Sequence, residues 1–148
     1  SRAARRSRWL RERSRDALNI ASLDETVRLL RRGGTFVGLH PEGTRNQGDD
    51  PYALLPAQGG VGRVIQASGV EVIPVFVNGL GNDLPRQIAG NFTRKGTPII
   101  VNFGAPIDFE GMLEQAPSPR LHRRISEHAL EHIRRLGEEE RAIRASLR

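Results

Sequence analysis

Apolar and polar positions alternate along the chain with two periods. Leu23, Val27 and Leu30 repeat at i, i+4, i+7, one face of an α-helix. Ser22 and Glu25 have capping-box spacing, which predicts that Ser22 opens this helix. Arg31 and Arg32 fall where the helix dipole favours cations, and Gly33-Gly34 stop it. "TFVGL", 35–39, is a continuous apolar run and reads as a short buried strand. A second helix is predicted over 58–68, with Val61, Val64 and Ile65 inward and Gly69 as its C-cap. "EVIPVFVNG", 71–79, and "TPIIVNFG", 97–104, read as two further strands. Pro74 lies inside the first of these and cannot donate to a ladder, so that strand is expected at an edge or bulged there. Near Ser118 a long helix starts, with Pro119 suited to its first position. Leu121, Ile125, Ala129, Ile133 and Leu136 keep one stripe, and Gly137 is expected to interrupt it before "EEERAIRASLR". A weaker helical pattern covers residues 9–20, where Leu10, Ala17 and Leu18 share a face.

The order helix, strand, helix, strand, strand, helix is that of an α/β layer fold, a mostly parallel central sheet flanked by helices. Its 148 residues suit one domain, 1–148, with a C-terminal helix over 118–148. In such sheets ligands sit beyond the carboxyl ends of strands. "HPEGTR", 40–45, follows the first apolar run directly and occupies such an end.

Composition changes the picture little. The chain is 37% hydrophobic and 27% charged, an ordinary folded composition. No run reaches the roughly 18 apolar residues of a membrane span, and no apolar segment follows the Arg-rich start as a signal peptide requires. The absence of cysteine excludes disulfides and thiolate metal sites. Charge matters more. The net charge is +6, and Lys95 is the single lysine among 23 cations. Residues 1–15 hold seven Arg against one Glu, and 1–8 read as a disordered basic arm. The excess predicts attraction to phosphorylated substrates, anionic lipid surfaces or nucleic acid. Aromatic residues are only 5% and no reader motif is present, so nucleic acid would be held only nonspecifically. Trp9 and Leu10 amid arginines suit an anionic bilayer.

The residues of "HPEGTR" support two readings. Pro41 and Gly43 turn the backbone sharply and free N–H groups for an anion. Thr44 adds a hydroxyl, and Arg45 a planar fork matched to phosphate oxygens. Glu42 would steady Arg45 or another cation, or accept from a substrate hydroxyl. The other reading is a Pro-Gly turn with a surface Glu–Arg pair, stabilising by about 0–1 kcal/mol.

Pro41-Glu42-Gly43-Thr44-Arg45 resembles the third conserved block, F-P-E-G-T-R-S, of the glycerolipid acyltransferases, the lysophosphatidic acid (1-acylglycerol-3-phosphate) acyltransferase family. "VIPVFVNG" resembles the fourth block, with Pro74 as its central proline, in an acyl-pocket or structural role. "GGVGR", 59–63, and "NFGAPIDF", 102–109, fit the same register, and the similarity covers roughly 13–110. The resemblance implies transfer of an acyl group from acyl-CoA or acyl carrier protein to a free hydroxyl of lysophosphatidate or a glycerol phosphate, without a metal. Glu42, Gly43, Thr44 and Arg45 would then bind the acceptor's glycerol phosphate. The second block's phosphate-binding arginine falls on Arg11 or Arg13, of which Arg13 is preferred. The setting implied is phospholipid synthesis at the cytoplasmic, inner face of a membrane, with the protein peripheral.

Two departures stand out. His40 replaces the usual Phe, and reads as a ring packing at the loop entrance or as a base beside a bound phosphate. The family's first block, H-x-x-x-x-D, supplies the catalytic base and the Asp that orients it. None of the four histidines, His40, His122, His128 and His132, has Asp five residues on. With residue 1 a Ser, the sequence is expected to be the C-terminal portion of an acyltransferase domain, N-terminally incomplete. Loss of the base alone typically forfeits roughly 10²–10⁴-fold in rate, so the chain as given is expected to be inactive. The remaining candidates are structural. His128 and His132 are four apart on a helix and read as a polar face rather than a metal pair. "GGVGR" lacks the Gly-Lys-Ser/Thr of a P-loop, and reads as close packing of helix on sheet.

Overall fold

A computed structural model describes residues 19–44, 48, 50–80, 90 and 97–147. The expectations for the basic arm 1–8, for Trp9, Leu10, Arg11 and Arg13, and for Arg45 lie outside them.

Residues 19–32 form helix α1. The helix already runs through Ser22, so Ser22 is an interior residue and not the expected N-cap; its carbonyl accepts from the Thr26 hydroxyl at 2.9 Å. The stop is as predicted. Gly33 and Gly34 both take positive φ, 74° and 68°, and the Gly33 N–H closes on Leu30 O at 3.1 Å. Helix α2 is Gly59–Ser68, and Gly69 ends it in the left-handed conformation with its N–H on Ile65 O. Val64 and Ile65 are buried, as their spacing required.

Strands β1, Val75–Asn78, and β2, Ile100–Phe103, pair antiparallel, with Val75 opposite Phe103 and Asn78 opposite Ile100. These are the two strands among the described residues, and both are shorter than their apolar runs. Pro74 sits just before β1, where its missing N–H leaves no gap in the ladder. Its carbonyl accepts from Gly104 N at 2.9 Å, and Ile107 N reaches Val72 O at 2.9 Å, so the pairing continues as isolated bonds. The run 35–39 is not a strand: it has no ladder, and Phe36 is 99% exposed. A strand must pair its backbone and cover an apolar face, and no described residue does either for this run.

Helix α3 runs Pro119–Ser146 without a break. The Ser118 hydroxyl caps it by accepting from Leu121 N at 3.1 Å, with Pro119 in the first turn. Gly137 does not interrupt the helix. It lets Phe76 approach, since a Cβ there would lie 3.1 Å from Phe76 Cε2. Leu121, Ile125 and Ala129 pack with Ile65, Ile107, Phe109 and Met112 as the core. α3 therefore covers both α2 and one face of the β-pair. Gly62 marks the closest approach. A Cβ there would meet His122 O at 1.8 Å, so "GGVGR" packs helix on helix rather than on the sheet. The Gly62 N–H donates to the buried Ser126 hydroxyl at 2.7 Å across the same contact. No helix of the described residues is long and apolar enough to cross a membrane.

Candidate functional site

The turn begins at His40, whose carbonyl accepts from Gly43 N at 2.9 Å, a β-turn over residues 40–43. Gly43 has φ 72°, which an L side chain rarely adopts, and a Cβ there would also crowd Gln58 Cγ at 2.9 Å. Both features favour glycine at this position, the positive φ more than the contact with the flexible Gln58 side chain. Pro41 is buried, and its carbonyl accepts from Gln58 N at 2.7 Å, which places the turn against the residue that precedes α2. No side chain caps α2 at Gln58. His40 is exposed, so its ring does not pack at the loop entrance as expected.

Glu42 is half-buried, and its Oε2 accepts from the backbone N–H of Leu55. That bond joins the start of the irregular segment 40–58 to its end. The carboxylate has a definite task in shaping the loop, which its chemistry alone did not disclose. Thr44 is exposed beside Gly43. The turn therefore presents Gly43 and Thr44 to solvent and keeps Pro41 and Glu42 for holding its shape. Pro74 serves the β-pair, through Gly104.

A second cluster went unread in the sequence. Glu140, on α3, is fully buried. Its Oε2 accepts from the Tyr52 hydroxyl at 2.7 Å and from Asn78 Nδ2 at 3.1 Å, and its Oε1 from Arg144 Nε at 2.7 Å. Burial alone would raise the Glu140 pKa. The hydrogen bonds from Tyr52, Asn78 and Arg144, with the Arg144 charge, outweigh it and hold the carboxyl below its ordinary range. The Tyr52 hydroxyl is pushed up, first by burial and then by its bond to Glu140. The Tyr52 ring stacks on Phe76 at 5.9 Å, and Arg141 lies 4.1 Å over its centroid. A cleft of about 140 Å³ opens beside it, lined by Tyr52, Leu54, Phe76, Arg134, Gly137 and Arg141. Three consecutive glutamates, 138–140, look alike in sequence, and only the packing of α3 singles out the third.

His128 and His132 meet edge to face at 5.0 Å, and His128 Nε2 lies 2.8 Å from Asp108 O. Among the described residues no three His, Asp or Glu side chains gather as a metal site would require.

The sequence was compared with known proteins. A model of the family described as Acyltransferase matches residues 3–78, which are 76 of the 148 residues. No match was found to a curated protein or to a solved structure. The matched stretch contains the turn 40–44, the staple from Glu42 to Leu55, all of α2 and β1, while β2 and α3 lie beyond it. By that match, and with the turn geometry that accompanies it, the chain belongs to the acyltransferase family.

Proposed function

We propose that the chain is the acceptor-binding part of a 1-acylglycerol-3-phosphate O-acyltransferase. In this reading the turn 40–45 grips the glycerol phosphate of lysophosphatidate or a related acceptor. The observation that carries it is the family match over a turn whose Gly43 takes a positive φ that favours glycine. Gly43 and Thr44, both exposed, are assigned to the acceptor, and Arg45 is assigned to its phosphate. Glu42 acts by fixing the loop through Leu55. Arg13 is assigned a second phosphate contact. The acyl donor is a thioester, acyl-CoA or acyl carrier protein, and no metal takes part.

In the reaction the acceptor's hydroxyl oxygen bonds to the acyl carbon, the carbon–sulfur bond breaks, and the hydroxyl proton passes to a base. No histidine of these 148 residues has the H-x-x-x-x-D context of that base, so the chain by itself binds acceptor without turning it over. We place it at an anionic membrane surface, in phospholipid synthesis on the cytoplasmic face. A net charge of +6 and a lipid acceptor support that placement. We also take the β-pair to belong to a larger, mostly parallel sheet.

The test is titration with sn-glycerol 3-phosphate. Arg45→Ala should weaken binding by about 1.5–3 kcal/mol, the loss expected for a charge-assisted contact. Unchanged affinity in a folded variant would reduce "HPEGTR" to a structural turn. For the surface, anionic vesicles should compete better than duplex DNA; the reverse order would remove the membrane assignment.

A further inference from the structure

Glu140 is the one charged residue that is fully buried among those described, and the acceptor reading gives it no task. A carboxylate so placed is strongly unfavourable unless its lone pairs are filled, and replacing such a group by apolar packing is often neutral. Its presence is therefore poor evidence of stability and better evidence of directed geometry. The donors come from parts of the chain far apart in sequence. Tyr52 belongs to the irregular segment after the turn, Asn78 ends β1, and Arg144 lies one turn along α3. Arg144 also donates to Pro98 O at 3.1 Å, just before β2. Three residues beyond Tyr52, the Leu55 N–H donates to Glu42. A continuous path thus runs from α3 through Glu140, Tyr52 and Leu55 to the turn.

We infer that Glu140 is a positioning residue: acting through Tyr52, it holds segment 50–57 so that Leu55 keeps Glu42, and with it the turn 40–44, in the shape that receives the acceptor. The assignment rests on the acceptor reading of that turn. It extends the site past residue 78, where the family match stops, because the clamp's carboxylate is supplied by α3. Tyr52 is locked by both its ends. The hydroxyl is held by Glu140, and the ring contacts both Phe76 and Arg141.

The experiment uses the full chain with Tyr52→Phe, which removes one oxygen and keeps the ring contacts, and Glu140→Gln, which keeps the shape and removes the charge. Amide hydrogen exchange at Leu55 is read against Ala129 in the core of α3, and affinity for sn-glycerol 3-phosphate is read by calorimetry. Both variants should exchange Leu55 about 2–10-fold faster, leave Ala129 within twofold, and bind the probe about 2–10-fold more weakly, as loss of one buried hydrogen bond implies. Unchanged exchange at Leu55 in both variants overturns the assignment. So does equal acceleration at Leu55 and Ala129, which is general destabilisation, and so does a looser Leu55 with unchanged affinity. A lack of binding by the unsubstituted chain sinks the acceptor reading separately, since exchange at Leu55 needs no ligand.

Discussion

Two apolar runs, 35–39 and 75–78, look equally strand-like in sequence and have opposite fates. In β1 Phe76 is 5% exposed, stacked on Tyr52 and seated on Gly137 of α3. In the other run Phe36 is 99% exposed. Propensity does not separate them. β1 has a ladder with β2 and a helix across one face, and 35–39 has neither among the described residues. Among the described residues the β-pair itself is covered on one side only. Val77, Val101 and Phe103 lie on the face turned away from α3 and are exposed. An apolar run is a demand for cover, and the demand is met from elsewhere in the chain.

The comparison can be broken most directly at its two phenylalanines. Phe76→Ala should cost about 3–5 kcal/mol in urea unfolding, because it empties a site between Tyr52, Gly137 and the β-pair. A loss under about 1 kcal/mol would mean that α3 is not seated on the strand as described. Next in size is Gly62→Ala. Its Cβ would run into the His122 carbonyl, a backbone atom that cannot swing aside, and about 1–3 kcal/mol should be lost. A neutral result would deny the close contact of α2 and α3.

Acid should test the packing of α3 in another way, since the titrating groups lie on that helix. His122 is held below the ordinary histidine range by burial and then by Arg63, and His132 by burial and then by His128 and Arg135. The unfolded chain therefore binds more protons. Their contribution is present above a pH of about 6.5 and is lost as pH falls through the lower folded values. Glu140, also lowered, behaves alike in a more acid window. Its contribution holds above about pH 4.3 and disappears as pH drops through the folded value. Urea midpoints at pH 7.5, 5.5 and 3.5 should decline at each step, and a rise on acidification would reverse these assignments. The smallest effect belongs to Phe36→Ala, which should change stability by no more than about 0.5 kcal/mol. A core-sized loss would mean that the run is covered after all.

Legibility followed the range of the forces involved. The stop of α1 at Gly33-Gly34, the end of α2 at Gly69 and the start of α3 at Ser118-Pro119 were all readable. Each depends on one or two residues and their own backbone. Ser22 misled because its capping signal lies inside a helix that begins earlier. Gly137 misled because a glycine in a helix reads as a weakness, when here it admits Phe76. In the candidate site, "PEGT" announced a sharp turn, which is present, while the Gly43 N–H expected to be free for an anion is taken by His40 O. The partner of Glu42 was not legible, since Leu55 is thirteen residues away and offers only a backbone N–H.

By itself, then, the sequence determined where helices stop and start, where the chain must turn, and which family's motif the turn carries. These are local matters of φ, capping and residue type. Tertiary structure decided which apolar run became a strand, which glycine was a packing contact, and which of three adjacent glutamates was buried among Tyr52, Asn78 and Arg144. Burial, pairing and charge compensation are supplied by residues distant in the chain, and no local pattern encodes the neighbour that will arrive.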